Sequence, residues 1–320
     1  MKLEYIALLI GFSIAQSFDE DSGWFVPNLN GSFYWMTKEE YQNQDNSRIS
    51  RTAAIKLFLY SRSNPTDPQE INPLSIESLK ASNYNSNRPT KIIIHGWTAN
   101  FKSDGNILIK NAYLKREDSN VIMADWSINS KESYPKAAKS VKSVGEQLAT
   151  FIDLANFYDL LSFERLEIDG FSLGAHCAGI AGKNVKRGRI SVIRGLDAAL
   201  PLFSYMMPST RLASSDAKYV EVIHTCAGWL GFLKPIGHAD FYVNGGKQQP
   251  ECGADFSGSC SHSKSCEYYA DAINSNGIES YECRSFIKAL KGWCRVGQTR
   301  MGHYLNKNGL EGVFYTKTKR

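Results

Sequence analysis

With 320 residues, 42% of them hydrophobic, the chain is long enough for one large α/β domain or two smaller ones, and no linker divides it. Its 37 basic and 32 acidic residues give a formal net charge of +5 without a basic block interleaved with aromatics, so nucleic acid is not an expected partner. The seven cysteines lack paired C-x-x-C elements, which argues against a zinc site.

The N-terminal stretch has the form of a secretory signal peptide. The apolar run at 5–14 is too short to span a bilayer, and small residues follow that would permit cleavage after Ala15. We therefore expect residues 1–15 to be removed and the mature protein to be extracellular, without a transmembrane segment. Residues 16–50 are polar and are expected to be irregular and to pack on a single domain at 51–320.

Strands and helices are predicted to alternate over most of that domain. Alternating apolar residues predict a strand at 54–60, whereas the continuous apolar runs at 91–95 and 121–125 predict strands buried on both faces. Helices are predicted at 103–114 and at 134–160, where apolar residues recur at spacings of four and three. Further strands are predicted at 190–196 and 219–224. This alternation indicates an α/β fold with a doubly wound, mostly parallel sheet and helices on both faces.

The stretch between these elements that begins at Leu166 reads strand, sharp turn, helix. Leu166 and Ile168 alternate with charged neighbours as in a strand, and small residues after the turn favour a helix packed closely on a sheet. Gly170 and Gly174 flank Ser172 in a G-x-S-x-G nucleophile elbow, where glycines make room for a strained serine whose oxygen points outward. Ser172 is therefore the candidate nucleophile.

A serine hydroxyl needs a base within hydrogen-bond reach and an acid that orients the base. Asp197 follows the predicted strand 190–196 at its carboxyl end, where such sheets gather catalytic groups. Among the six histidines, His262 lies beside Cys260 on a loop downstream of every predicted strand. Structural hydrogen bonding is expected of three others: His95, His224 and His238.

Seven motifs in order along the chain, covering roughly residues 24–315, resemble the animal pancreatic lipase family. The resemblance is strongest to its secreted insect members and to the phospholipase A1 branch. The motifs are Ile94-His95-Gly96-Trp97, Val121-Ile122-Met123-Ala124-Asp125-Trp126-Ser127, Gly170-Phe171-Ser172-Leu173-Gly174-Ala175-His176, Gly195-Leu196-Asp197, Val222-Ile223-His224-Thr225, Gly237-His238-Ala239-Asp240-Phe241-Tyr242 and Cys260-Ser261-His262.

The resemblance implies an α/β-hydrolase fold and a serine carboxylic ester hydrolase that acts on acyl-glycerol lipids. Carried over residue by residue, it makes Ser172 the nucleophile, Asp197 the orienting acid and His262 the base. The oxyanion hole would consist of the backbone N–H groups of Trp97 and Leu173. No cofactor is implied.

The resemblance also implies a disulfide, Cys252 with Cys260, at the base of a lid. Cys283–Cys294 is the second expected pair, and three cysteines stay unassigned: Cys177, Cys226 and Cys266. Arg211 and Asp216 match the family's calcium loop, but Pro208 and Ala213 stand where the family supplies further carboxylates, so no metal is expected. The C-terminal β-sandwich of the larger relatives is absent from the sequence, so no colipase-type partner is expected.

The expected substrate is inferred from the lengths of two short loops. The lid at 253–259 has seven residues and the loop at 226–236 has eleven, far fewer than in the family's triglyceride lipases. A short lid leaves the site open to a polar head group, while Phe256, Trp229 and Phe232 offer apolar side chains to a lipid surface. For Trp229 and Phe232, packing on the domain is an equally good interpretation.

We therefore expect a phospholipase A1 that releases the sn-1 acyl chain of phospholipids, with galactolipids as further candidate substrates. A triacylglycerol lipase is the alternative within the family. An alternative of another class is a catalytically silent yolk or lipid carrier protein of the same fold. Such proteins typically lack part of the serine, acid and histidine set, which is complete in this sequence.

Overall fold

The computed structural model describes residues 22–44, 55–294, 296–303, 306 and 309–318, so the expected signal peptide lies outside the described residues. In chain order, the strands are β1 (Gly23–Pro27), β2 (Phe33–Thr37), β3 (Lys56–Tyr60), β4 (Gln69–Ile71), β5 (Thr90–Ile94), β6 (Asn120–Asp125), β7 (Leu166–Phe171), β8 (Val192–Leu196), β9 (Tyr219–His224), β10 (Ala239–Val243), β11 (Ile278–Cys283), β12 (Val296–Met301) and β13 (Gly312–Thr316).

The helices lie mostly between these strands. In chain order, they are α1 (Lys38–Asn43), α2 (Ile76–Lys80), α3 (Asp104–Arg116), α4 (Ser127–Ser130), α5 (Tyr134–Phe157), α6 (Leu173–Asn184), α7 (Ser259–Ser275) and α8 (Phe286–Leu290). Among these described residues, no helix is both long enough and apolar enough to cross a membrane.

Within the described residues, eleven strands form one sheet in the order β12-β11-β13-β10-β9-β8-β7-β5-β6-β3-β4. The strands from β13 to β6 in this order run parallel, and antiparallel pairs close both edges. Phe171 of β7 lies opposite Leu196 of β8, so the next residues, Ser172 and Asp197, leave the sheet side by side at its carboxyl edge. The predicted α/β class with a doubly wound, mostly parallel sheet is confirmed.

Apolar side chains cover both faces of the sheet. One face packs against α5 and α6, the other against α3 and α7. The predicted stripe of α5 is buried throughout: Ala137, Val141, Val144, Leu148, Phe151 and Ala155. Pro135 lies in the first turn of this helix, where its missing N–H costs no hydrogen bond. A Cβ added at Gly145 would lie 2.7 Å from Cys177 O, so this glycine lets α5 and α6 approach closely.

The irregular course expected for residues 16–50 is wrong for the part that is described. β1 and β2 form an antiparallel hairpin, and α1 begins in a capping box in which Thr37 Oγ1 accepts from Glu40 N at 3.1 Å. Trp24 and Tyr41 pack against the main core. Strands of five residues are too short for a clear period, but the Thr37-x-x-Glu40 pattern was a usable helix signal.

Candidate active site

Ser172 lies at the turn between β7 and α6, in a backbone conformation that non-glycine residues rarely adopt. Its φ is 56° and its ψ is −122°. A Cβ added at Gly174 would clash with Ile94 O, and one at Gly170 would lie 2.6 Å from the Ala175 Cα. Both glycines are therefore required for the turn that places the serine at the carboxyl edge of the sheet.

The turn at 95–97 passes directly beside the serine. A Cβ added at Gly96 would lie 2.8 Å from Ser172 Cβ. His95 holds this turn, because its Nδ1 lies 2.9 Å from Gly96 O while its Nε2 lies 3.0 Å from Asp125 Oδ1 and 3.1 Å from Trp126 N. The Trp97 indole donates to Glu132 O at 2.8 Å and fixes the end of the turn. The backbone of Trp97 is thereby held next to the serine.

Leu173 is the first residue of α6. The first N–H groups of a helix have no partner within the helix and lie at the positive end of its dipole. The Leu173 N–H therefore belongs to a set of donors that suits a developing negative charge beside Ser172.

Asp197 and His262 form a hydrogen-bonded pair. Asp197 is fully buried, and its Oδ2 lies 2.6 Å from His262 Nδ1. Its Oδ1 accepts from Thr225 N at 2.8 Å and from Cys226 N at 3.0 Å. Because a carboxylate can only accept, Nδ1 is the donor, and Nε2 of the neutral imidazole is left as a proton acceptor. The contacts of Thr225 and Cys226 arise between adjacent strand ends and were not predicted from the sequence.

The position predicted for His262, on a loop after every strand, is wrong. His262 lies in the first turn of α7, and three more strands follow it. Its ring lies 4.7 Å from the Phe171 ring, next to the elbow, and its side chain is 11% exposed. Within the described part of the chain, no hydrogen bond joins it to the Ser172 hydroxyl. In unliganded enzymes such bonds are often long and tighten when substrate binds.

His176, one helical turn beyond Ser172, has a structural position. Its Nε2 donates to Ala199 O at 2.7 Å, and its Nδ1 accepts from Leu212 N at 3.1 Å. Burial lowers the pKa of His176 to about 3, so the ring is neutral. It ties α6 to the segment that follows Asp197.

The structure joins Cys252 to Cys260, the pair implied by the resemblance, and Cys283 to Cys294, the second expected pair. The first disulfide closes the loop at 253–259, the segment that the resemblance predicts to be a lid, and Phe256 in this loop is 63% exposed. The three unassigned cysteines are buried free thiols: Cys177, Cys226 and Cys266.

Trp229 connects the lid to the N-terminal hairpin. Its indole Nε1 donates to Ser257 O in the lid at 2.9 Å, and its ring lies 4.6 Å from Phe33 and 6.3 Å from Phe25. Trp229 is thereby half-buried under β1 and β2. Since the hairpin was not predicted, this contact could not be derived from the sequence.

Of the two interpretations left open for Phe232, packing on the domain is confirmed and contact with a lipid surface is wrong. Its side chain is 1% exposed and its N donates to Ala198 O at 2.9 Å. The loop at 226–236 folds back because Gly231 N donates to Cys226 O at 3.0 Å. A Cβ added at Gly231 would lie 2.6 Å from Asp197 Cγ, so this loop forms the back wall of the Asp197 site.

The residues of the matched calcium loop do not fit a calcium ion. The Lys183 ammonium forms an ion pair with Asp216 and donates to Arg211 O at 2.9 Å, so a cationic side chain takes the place of a metal. Elsewhere in the described residues, Cys252, Asp255 and Cys260 lie close enough to share an ion, but the disulfide consumes both thiols.

This arrangement, with an elbow serine and an acid–histidine pair at the carboxyl edge of a doubly wound sheet, is that of an α/β hydrolase. Residues 31–319 match the model of the Lipase family, and the chain belongs to that family.

The chain is similar to several curated lipases. It is 35% identical over 280 residues to pancreatic lipase-related protein 2 of Cavia porcellus, a match that covers 82% of this chain and 64% of the relative. Pancreatic triacylglycerol lipase of Oryctolagus cuniculus is 33% identical, with 82% and 63% covered. Lipoprotein lipase of Sus scrofa is 34% identical, with 75% and 56% covered. The chain thus spans less than two thirds of the length of these relatives.

Proposed function

We propose that this chain is a lipid-ester hydrolase that works through an acyl-enzyme on Ser172. The observation that carries the proposal is the 2.6 Å hydrogen bond between Asp197 Oδ2 and His262 Nδ1, beside a serine held at a φ of 56°. An acid and a histidine oriented next to a serine in a strained turn are what activation of a hydroxyl requires. Membership of the Lipase family supports an acyl ester as the substrate bond.

In the proposed mechanism, Ser172 Oγ attacks the ester carbonyl while His262 Nε2 takes the hydroxyl proton. Asp197 stabilises the resulting imidazolium through its bond to Nδ1. The backbone N–H groups of Leu173 and Trp97 would bind the oxyanion, and each such donor contributes about 3 to 4 kcal/mol. His262 then protonates the leaving alcohol, and water attacks the acyl-enzyme by the reverse sequence. The two buried N–H donors to Asp197 Oδ1 hold that carboxylate in place throughout.

We propose the sn-1 ester of phospholipids as the preferred substrate, that is, a phospholipase A1 activity. The lid has seven residues between Cys252 and Cys260 and is short for a cover over the site. It is also held in place, because Ser257 O is bonded to Trp229, whose ring packs on Phe33. A lid fixed in this way leaves room for a polar head group, while the exposed Phe256 provides an apolar contact with a lipid surface.

The second candidate is triacylglycerol hydrolysis. It is favoured by the 33% identity to a pancreatic triacylglycerol lipase over 294 residues. Fixation of the lid by Trp229 argues against it, since opening a cover at an oil interface would require breaking that packing.

We expect the protein to release the sn-1 acyl chain of phosphatidylcholine and to show no rate jump at the point where substrate forms a separate phase. The reason is that a lid fixed in this position does not cover the site, so no opening of the lid at an interface is needed before substrate enters. The measurement offers phosphatidylcholine labelled differently at its two acyl positions beside emulsified triglyceride. Preferred turnover of triglyceride, with a rate jump once droplets form, would instead support the second candidate. No turnover of either ester would support the silent carrier.

We further propose that the protein is secreted and that residues 51–320 act as one domain. The two disulfides, Cys252–Cys260 and Cys283–Cys294, support an oxidising compartment. In the described part, every strand from β3 to β13 in chain order belongs to one sheet, which supports one folding unit.

A further inference from the structure

A buried polar cluster lies between the sheet and the helices α3 and α7. It consists of Tyr113 on α3, Asp169 on β7, Arg194 on β8 and Tyr269 on α7, each at most 3% exposed. The Tyr113 hydroxyl donates to Asp169 Oδ2 at 2.7 Å and lies 2.5 Å from the Tyr269 hydroxyl. The Arg194 guanidinium lies 3.4 Å from Asp169 Oδ1 and over the Tyr269 ring, 5.4 Å from its centroid. Four elements thus meet in one hydrogen-bonded unit.

Three of these elements carry the residues of the proposed active site. Asp169 precedes Ser172 by three residues on β7, and Arg194 precedes Asp197 by three residues on β8. Tyr269 follows His262 by seven residues, which is about two helical turns and the same face of α7. The cluster therefore lies beneath the site and links the three elements that lead to or carry Ser172, Asp197 and His262.

The cluster and the site also share a layer of side chains. Asp169 and Phe171 project from the same face of β7, about 7 Å apart along the strand. The Phe171 ring contacts the His262 ring at 4.7 Å between centroids. A shift of α7 against β7 at the cluster would therefore displace His262 relative to Ser172.

Charge makes this cluster sensitive to geometry. Arg194 also pairs with Glu167 Oε2 at 2.6 Å, but within the described residues its Nε has no hydrogen-bond partner, and Glu221 Oε1 is 4.0 Å away. Burial raises the pKa of Asp169, and Arg194 opposes that shift. Apolar contacts between helices and strands tolerate small shifts of one element against another. Buried charges and hydroxyls keep their hydrogen bonds in only a few arrangements, so the cluster favours one relative position of the four elements.

We propose that the cluster of Tyr113, Asp169, Arg194 and Tyr269 positions β7, β8 and α7 so that Ser172, Asp197 and His262 stay in reacting geometry. Its members are positioning residues, since none of them reaches the reacting atoms. The proposal rests on the catalytic roles proposed above.

The test compares Tyr269→Phe with Tyr84→Phe. The Tyr84 hydroxyl also has two partners, Thr90 Oγ1 at 2.8 Å and Leu160 O at 3.1 Å, but it belongs to no part of the cluster, and Thr90 is the first residue of β5, at the end of the strand away from the site. We expect Tyr269→Phe to lower kcat about tenfold with KM changed less than twofold, because small misplacement of reacting groups is costly. Tyr84→Phe should leave kcat unchanged. Kinetics are measured with a soluble ester, well below both unfolding temperatures.

Asp169→Asn provides a second variant that keeps the shape of the side chain and removes its charge. It should lower kcat in the same way and slow organophosphate labelling of the serine by a similar factor. Unchanged kcat in both Tyr269→Phe and Asp169→Asn, with an active wild type, would overturn the positioning role alone. A wild type that turns over no ester would overturn the proposed function and this inference together.

Discussion

Ser172→Ala should lower kcat for ester hydrolysis by about 10⁵- to 10⁶-fold, the size of effect that follows removal of a serine nucleophile that acts with a histidine base. No other group at the elbow can form the acyl-enzyme, and the remaining N–H donors would provide only the residual rate. KM should change little, because the hydroxyl contributes little to binding of the acyl chain. Steady-state kinetics with a chromogenic ester measure both constants.

The matched control is Ser119→Ala. Ser119 is fully buried, and within the described residues its hydroxyl has no hydrogen-bond partner, so its removal should leave both kcat and folding intact. If Ser172→Ala and Ser119→Ala were equally active, Ser172 would not be the nucleophile.

Asp197→Asn should lower kcat by about 10⁴-fold, the size of effect found when the acid of such a triad is made an amide. The amide oxygen can still accept from Thr225 N and Cys226 N, which places the NH₂ group against His262 Nδ1. Nδ1 must then accept, so the proton moves to Nε2, and the ring can no longer take the proton of Ser172. Single-turnover acylation kinetics at neutral pH measure the effect on the first chemical step.

Asp240→Asn is the control for this variant. Asp240 is also buried, with Oδ1 2.9 Å from His224 Nε2, and it likewise accepts from two backbone N–H groups, those of Ile236 and Gly237. We expect it to reduce the free energy of unfolding but to leave kcat within about fivefold, since this pair does not adjoin the serine. A loss of kcat as large as that of Asp197→Asn would show that any buried acid–histidine pair at this edge has the same effect.

The central part of the fold was predictable because its signals are local. The apolar runs at 91–95 and 121–125 appear as β5 and β6, and the spacing of apolar residues located α5 to within three residues of its end at Phe157. The elbow was predictable for a similar reason, since Gly170 and Gly174 are required by backbone contacts within one turn. Such features depend on neighbours in the sequence.

What depends on distant contacts was not predicted. The placement of His262 at the start of α7 depends on packing between α7 and α3. The choice between burial and exposure of Phe232, which the sequence left open, depends on a loop that folds back onto Asp197. The N-terminal hairpin is made of short strands whose stability comes from packing of Trp24 on the core. The spacing of apolar residues in the sequence gives no signal for these long-range contacts.

The charged residues of β7 illustrate the same limit. Glu167 and Asp169 alternate with Leu166 and Ile168, a pattern that usually describes a strand with one face in water. In the structure that face is covered by α3 and α7, and the charges are compensated by Arg194 and Lys91 from neighbouring strands. Although burial disfavours ionisation, these two cations lower the pKa of Glu167. The alternating pattern therefore did not reveal that the charged face of β7 is buried.

The most direct test of the account is to react the folded protein with a serine-directed organophosphate and to locate the adduct by peptide mass spectrometry. The proposed role of Ser172 predicts one phosphyl group per molecule, on Ser172, with loss of ester hydrolysis in proportion to labelling. An adduct on a different serine with the same loss of activity, or full labelling of Ser172 without loss of activity, would contradict it.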